Sequence, residues 1–481
     1  MNQYAGFLTA LLLSLTTPAY AEKSVAGPPT GSSSLPETPA GRRFGAWLRA
    51  FNSADPAVYA DYINANAPAI AKYIKDDRRF AEVTGGFAVV SIDVGTEQRL
   101  SGLLAEPYWD DLTRFTIELE PKAPHQILKL DLERAERPAG QEVQTLDEAS
   151  LITALQERLE TQSRDQRLSG VVLFARDDQI LFEHAYGFAD AAGKRRNRVE
   201  TRFGIASMSK MLTAVAIMQL VEAGKIDLQA PIGRYLTDYP NQAIATTVTA
   251  HHLLTHTGGL GDIFVPEVEK AATDLHAPAD YIRVLGARAP EFAPGAKWSY
   301  SNYGFVLLGR ILEVVSGEDY ADYIQVRVLE PAQMTATGEL VKGESATGHT
   351  RGEDGIGWVL KKDGLPEQAS PAGGDLSTAR DLHRFARALL AGKLLAPAGV
   401  ELLTRGKVDA PYGKYAYGFK EQMRRSLRVI GHGGSAPGHN SQLDIYPDSG
   451  HVLVVLTNQD PPYANRIADF VGNRLRAGIP R

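Results

Sequence analysis

No cysteine occurs among the 481 residues. That excludes disulfide scaffolds, iron–sulfur clusters, thiolate zinc sites and cysteine nucleophiles, so any chemistry uses oxygen or nitrogen. Basic residues are outnumbered: 51 Lys and Arg face 57 Asp and Glu, a net charge of -6 whose sign is wrong for a phosphate-tracking surface. Nucleic acid is therefore not an expected partner. After the first 21 residues no apolar run is long enough to span a bilayer, and no integral membrane segment is expected in the mature chain. A G-x-S-x-G elbow, a phosphate-binding glycine loop and a G-x-G-x-x-G fingerprint are missing as well. What is present is ordinary globular composition, 44% apolar and 22% charged, in a chain long enough for two or three domains.

Residues 1–21 carry no Lys or Arg, an apolar stretch from Gly6 to Leu15 and the small-x-small pattern Ala19-Tyr20-Ala21. They read as a signal peptide cleaved after Ala21, which places the mature chain in the periplasm or outside the cell; Pro18 and the short run argue against a membrane anchor. Residues 22–41, with Pro28, Pro29, Pro36 and Pro39, read as a flexible linker. From 42 to 140 a small α+β accessory domain is expected. Trp47, Leu48 and Phe51 follow helical spacing, Asp55-Pro56 is a helix start, and Phe115, Ile117 and Leu119, then Leu128, Leu130 and Leu132, alternate as half-buried strands do.

Arg137 to Gly140 marks a boundary, and a second domain is expected over 145–481. Val171 to Phe174 and Ile180 to Phe182 flank Arg176-Asp177-Asp178 as a hairpin, helices are expected at 207–222, 302–316 and 377–391, and strands return near 416–430, 440–446 and 451–457. Strands at both sequence ends with helices between them predict one antiparallel sheet, its first and last strands neighbours, with an inserted helical lobe.

Ser207-Met208-Ser209-Lys210 opens one of these helices and sets Ser207 and Lys210 three apart on one face. A serine hydroxyl needs a nearby base and a positive field; a lysine one turn along and a helix N-terminus supply both. Alone the motif is weak, since a capping serine beside a solvated lysine fits the same letters. Tyr300-Ser301-Asn302 precedes another apolar helix, where a nearby ammonium would ease loss of the tyrosine proton, or where the triplet simply caps the helix. His432-Gly433-Gly434-Ser435 lies at or in a strand whose glycines admit a ligand or a second backbone, and a satisfied histidine in a bend fits equally. His252 and His256, four apart, resemble half a metal site, but no Glu follows the first and Thr257-Gly258-Gly259 ends the helix; no metal is expected.

Taken together and in order, Ser-x-x-Lys, Tyr-Ser-Asn and His-Gly-Gly resemble the active-site elements of the penicillin-recognising serine hydrolases: class C β-lactamases, D-peptidases and related esterases. Further stretches resemble the same superfamily: Leu253 to Leu260, Pro294-Gly295 with Trp298-Ser299, Gly373 to Thr378 and Gly431 to Asn440. The resemblance covers about residues 150 to 475. It implies an α+β β-lactamase/transpeptidase-like domain in which Ser207 is the acylated nucleophile, Lys210 holds its proton network and Tyr300 is the general base that later protonates the leaving group. Asn302 would bond Lys210 and substrate, and the amides of Ser207 and Ser435 would form the oxyanion hole, with Gly433 and Gly434 beside it. No cofactor or metal is implied.

Where β-lactamases of this superfamily carry Lys-Thr-Gly, this chain has His432-Gly433-Gly434. A permanently charged substrate anchor is thereby replaced by a titrating one, which speaks against efficient β-lactam hydrolysis. His-x-Gly variants resemble the D-amino-acid amidases, D-peptidases and carboxylesterases of the superfamily, and that resemblance implies small esters or D-amino-acid amides and peptides as substrates. A β-lactamase, a penicillin- or muropeptide-binding sensor that acylates without turnover, and an acyltransferase stay open as alternatives. The N-terminal segment, with Phe87, Phe115 and Ile117, resembles a nuclear-transport-factor-like module, for which docking or shielding is expected.

Overall fold

Thr38 and Pro39 begin the first helix among the described residues. The Thr38 hydroxyl accepts from the Gly41 amide and Pro39 takes the first helical position, where no amide is needed, giving α1, Pro39–Phe51. The computed structural model describes residues 34–190, 193–338, 343–352, 358–360 and 370–476. The expected signal peptide and residues 22–33 of the expected linker lie outside that range. The linker expected over 22–41 ends earlier than its proline content suggests, because Thr38-Pro39 forms a cap and a first helical turn.

The described residues form two compact units, described separately here. The first holds residues 34–169, the strands around 349–360 and residues 460–476. In it α1 is followed by α2, Pro56–Asn66, with Asp55 capping the Ala57 amide as expected, and by α3, Ile74–Thr84, which Gly85 ends at φ 78°. A four-stranded antiparallel meander follows: β1, Ala88–Gly95; β2, Arg99–Ala105; β3, Leu112–Leu119; β4, Ile127–Ala135. Phe44, Trp47 and Phe51 form one helical face and are fully buried, with Phe44 stacked on Phe115 at 3.9 Å between centroids. Ile127 replaces Leu128 as the inward residue of β4. A bulge between Glu118 and Leu119 shifts the register by one, which sends Leu128 to solvent at 55% exposure.

Helix α4, Glu148–Arg164, capped by Asp147, and the helix Tyr463–Arg474 belong to this first unit. Buried Arg466 pairs with Glu106, and Arg474 pairs with Asp110, so charges far apart in sequence fasten the last helix to the segment after β2. The contacts therefore divide the chain elsewhere than at residues 140–145.

The second unit is built on an eight-stranded antiparallel sheet. Its strands are β5, Gly170–Arg176, and β6, Gln179–Tyr186, followed after the lobe by β9, Val408–Ala410, β10, Gly413–Tyr415, β11, Lys420–Arg424, β12, Leu427–Ala436, β13, His439–Tyr446, and β14, His451–Thr457. The order is β9-β10-β11-β12-β13-β14-β5-β6. The sequence-terminal strands thus meet as expected, with Thr457 opposite Gly170 and His451 opposite Arg176. A two-stranded pair, β7 at Phe203–Gly204 and β8 at Leu376–Ser377, stands beside the lobe's entrance. Between lie α5, Ser209–Glu222, α6, Ala250–Leu254, α7, Asn302–Ser316, and α8, Ala379–Leu390, the last lying against β14 and β5. Nearly every α5 residue from Ser209 to Leu220 is buried, as in a helix apolar on all sides at a domain's centre. Lys210 is the one charge in that helix's buried set.

Candidate active site

The site starts where β7 turns into α5. Ala206 sits at φ 45°, a left-handed conformation unfavourable for a residue with a Cβ, and the tight turn Ala206–Met208 places Ser207 half-exposed just ahead of the helix. The turn is gripped from both sides. The Ile205 amide donates to the Asp375 carbonyl at 2.9 Å, and the Ser441 hydroxyl donates to the Ile205 carbonyl at 3.0 Å. Gly434 fits there because it lacks a side chain: a Cβ would stand 2.0 Å from the Ile205 carbonyl oxygen. Gly373 lies less tightly against the same turn, where a Cβ would stand 3.2 Å from the Ala206 carbonyl.

Lys210 projects from the first turn of α5 into this corner and is completely buried. Its Nζ donates to Ser207 Oγ at 3.2 Å, to Asn302 Oδ1 at 2.7 Å and to the Ala372 carbonyl. Burial lowers its pKa to about 7, against a raising influence from Asp262 and a further lowering one from Lys420. Asn302 is the first residue of α7, and its other face is fixed by Asp262, whose carboxylate accepts from the Asn302 amide and side-chain Nδ2, both at 3.2 Å.

Tyr300 stands beside Ser207, with its ring centroid 4.9 Å from the Lys210 ammonium. Burial nevertheless pushes its phenol well above the ordinary tyrosine value, against a lowering influence from the Ser207 hydroxyl. The expected direction is reversed: the lysine, not the tyrosine, is the group drawn towards losing its proton. Ser301 beside it is the N-cap of α7, accepting from the Gly304 amide, so the triplet caps the helix while it brings Tyr300 and Asn302 to the corner that holds Ser207 and Lys210.

His432 does not behave as a titrating anchor. On β12 it is 2% exposed, its Nδ1 lies 2.6 Å from the Gly433 carbonyl and its Nε2 3.0 Å from the Tyr415 hydroxyl. A carbonyl only accepts, so Nδ1 carries the proton and Nε2 accepts from Tyr415. Burial first, then the Lys420 and Lys210 ammoniums, hold its pKa well below the usual imidazole value. His432 is therefore neutral, and the substitution for Lys-Thr-Gly removes the charge at that position. Gly433 and Gly434 continue the strand to exposed Ser435, beside which Asn440 Nδ2 holds the Gly434 carbonyl at 3.1 Å.

Four contributors escaped the sequence reading: Asp262, the Ala372 carbonyl, Lys420 and His256. His256 lies beyond the end of α6 at φ 58°, accepts from the Ser301 amide through Nδ1 at 3.2 Å, and packs its ring 4.2 Å from that of Tyr300. It is thus a buttress for the tyrosine, placed off the helix that carries His252. Asp262 follows the Leu253–Leu260 stretch by two residues, a proximity that was the only sequence signal for it.

Comparison with known proteins agrees with this geometry. A family model described as Beta-lactamase matches residues 150–477. A penicillin binding protein from Bacillus halodurans superposes with a TM-score of 0.57 at 32% identity, over 64% of this chain and 97% of that one. A D-stereospecific amidohydrolase from Streptomyces sp. gives 0.56 at 26% identity, over 66% and 97%. Esterase EstB of Burkholderia gladioli is 34% identical over 209 residues, 40% of this chain and 53% of its own. With the expected fold in place and most of the second unit matched, the chain belongs to the beta-lactamase family, within the serine hydrolases of that fold.

Proposed function

We propose that the protein is an exported hydrolase that acts through an acyl-enzyme on Ser207, on small esters or D-amino-acid amides and peptides. The observation that carries this reading is the Lys210 amine, 3.2 Å from the Ser207 hydroxyl and with its pKa drawn down to about 7. Half-neutral at physiological pH, it is matched to taking the serine proton. Ser207 Oγ then attacks the substrate carbonyl, and the amides of Ser207 and Ser435 hold the resulting oxyanion. Collapse breaks the bond to the leaving group, which takes a proton from Tyr300; the Lys210 ammonium returns a proton to the phenolate. Water enters in place of the leaving group, gives a proton to the same pair and attacks the acyl carbonyl; collapse then breaks the bond to Ser207 Oγ, which takes that proton back, and the acid is released. A tyrosine held protonated suits this donor role better than that of resting base.

The substrate reading is supported by the neutral His432 and by the esterase and amidohydrolase among the relatives. It is tested by following p-nitrophenol release from p-nitrophenyl butyrate while intact mass is recorded. The expected result is a burst, one butyryl adduct on the peptide bearing Ser207 and then steady turnover, in a mature chain that begins at Glu22. Turnover without an adduct overturns the acyl-enzyme, an adduct without turnover makes the protein a sensor, and faster release with an added alcohol makes it an acyltransferase. Rapid nitrocefin hydrolysis would restore the β-lactamase reading.

Gly434 offers a structural check. Gly434→Ala sets a methyl carbon against the Ile205 carbonyl and displaces β12 from the Ser207 turn. The expected loss is about 10²-fold in kcat/KM and about 1–3 kcal/mol in stability by urea unfolding. Wild-type behaviour in both would mean that the strand does not position the Ser435 amide.

A further inference from the structure

Removing a fixed cation from the His432 position leaves open what, if anything, reads an anionic substrate. Lys420, the first residue of β11, answers this by its placement. In the antiparallel ladder it stands directly opposite Tyr415, and directly opposed residues project from the same face. Tyr415 faces the site: its hydroxyl bonds His432 and its ring lies 4.6 Å from that of His256. Two residues before Lys420, Gly418 is in contact with the Lys210 backbone, where a Cβ would come within 2.8 Å of the Lys210 carbonyl oxygen. The chain therefore delivers Lys420 to the mouth of the same corner.

Lys420 is partly buried, and its ammonium lies 4.5 Å from the ring of Tyr412, an exposed residue of the β9–β10 turn. Among the described residues no carboxylate forms an ion pair with it. Asp444, the acidic group whose charge reaches it, is held by Gln442 at 2.5 Å and Arg424 at 3.8 Å. With no hydrogen-bond partner among the described residues, the ammonium keeps its donors for an anion arriving beside that ring. Tyr412 also lies within the electrostatic reach of Tyr300, which places this cation on the side where the leaving group is protonated.

We propose that Lys420, with Tyr412 beside it, is the anion-reading element of the site and binds a carboxylate carried by the leaving group of the substrate. This rests on the acyl-enzyme reading above. The cation then stands on the strand next to the one bearing His-Gly-Gly, where Lys420 pairs with Gly431. Burial lowers the pKa of Lys420 only to about 8, against the raising influence of Asp444, so the ammonium form predominates at neutral pH.

The test uses two esters with the same acyl group, 3-(butyryloxy)benzoic acid and 3-(butyryloxy)benzamide. Both give the same butyryl-enzyme and differ only in whether the leaving group carries a carboxylate. The wild-type protein is expected to prefer the acid in kcat/KM. In Lys420→Met the acid-to-amide ratio should fall about tenfold, chiefly through KM, and Lys420→Arg should restore most of it. A ratio that stays at the wild-type value in Lys420→Met, while both esters still acylate Ser207, overturns the subsite and leaves the hydrolase intact. Absence of a Ser207 adduct from either ester overturns the hydrolase reading and the subsite with it. A fall in both esters alike, not corrected by arginine, assigns Lys420 a structural role only and also overturns the proposal.

Discussion

Replacing Ser207 by alanine is expected to lower kcat/KM for p-nitrophenyl butyrate by at least about 10⁴-fold, to abolish the butyryl adduct and to leave thermal melting close to that of the wild type. The asymmetry follows from what the hydroxyl touches. Its partners are Lys210 Nζ and Tyr300, and the turn around it is held by the Ile205 amide and carbonyl, Gly373 and Gly434, none of which uses the hydroxyl. Deleting one half-buried oxygen removes the proposed nucleophile without disturbing the grip on the turn. The amides proposed to bind the oxyanion also survive, so the residual rate should exceed that of free solution. Retention of wild-type turnover in Ser207→Ala would place the nucleophile elsewhere and separate the observed arrangement from its assigned chemistry.

Much of this arrangement was readable in the sequence because it is local. Ser207 and Lys210 are brought together by one helical turn, Asn302 and Ser301 by the start of the next helix, and the strand 451–457 was legible as an unbroken apolar run. What was not legible depends on residues distant in the chain. His432 is neutral because Tyr415 and the surrounding side chains bury it, and Lys420 reaches the site only through the β10–β11 register. Leu128 alternates correctly in sequence yet faces solvent, since one bulge at Glu118 moves the phase of its strand. Asp262 shows the same limit: nothing in its neighbours indicates that its carboxylate orients Asn302 from 40 positions away.

Lys210→Met should prove almost as damaging, with kcat/KM down by about 10³-fold, and its pH behaviour tests why. If the neutral amine takes the serine proton, wild-type activity rises with pH through about 7, where Lys210 loses its charge, and is lost as pH falls below that value. The variant keeps a low rate without this limb. Stability carries the same signature. Unfolded, a lysine titrates near about 10.4, so between about 7 and 10.4 the unfolded chain binds a proton that the folded chain does not. The sign makes folding more favourable as pH rises across that window, and the contribution is lost as pH falls through the folded value. Methionine has no such slope, while the loss of donors to Asn302 Oδ1 and the Ala372 carbonyl costs the variant a pH-independent amount. The wild-type advantage in urea-unfolding free energy over Lys210→Met should therefore be smaller at pH 6 than at pH 10. A difference constant with pH would mean that Lys210 keeps its ammonium in the folded protein, and the serine proton would then have to pass to Tyr300 despite the burial that holds its phenol protonated.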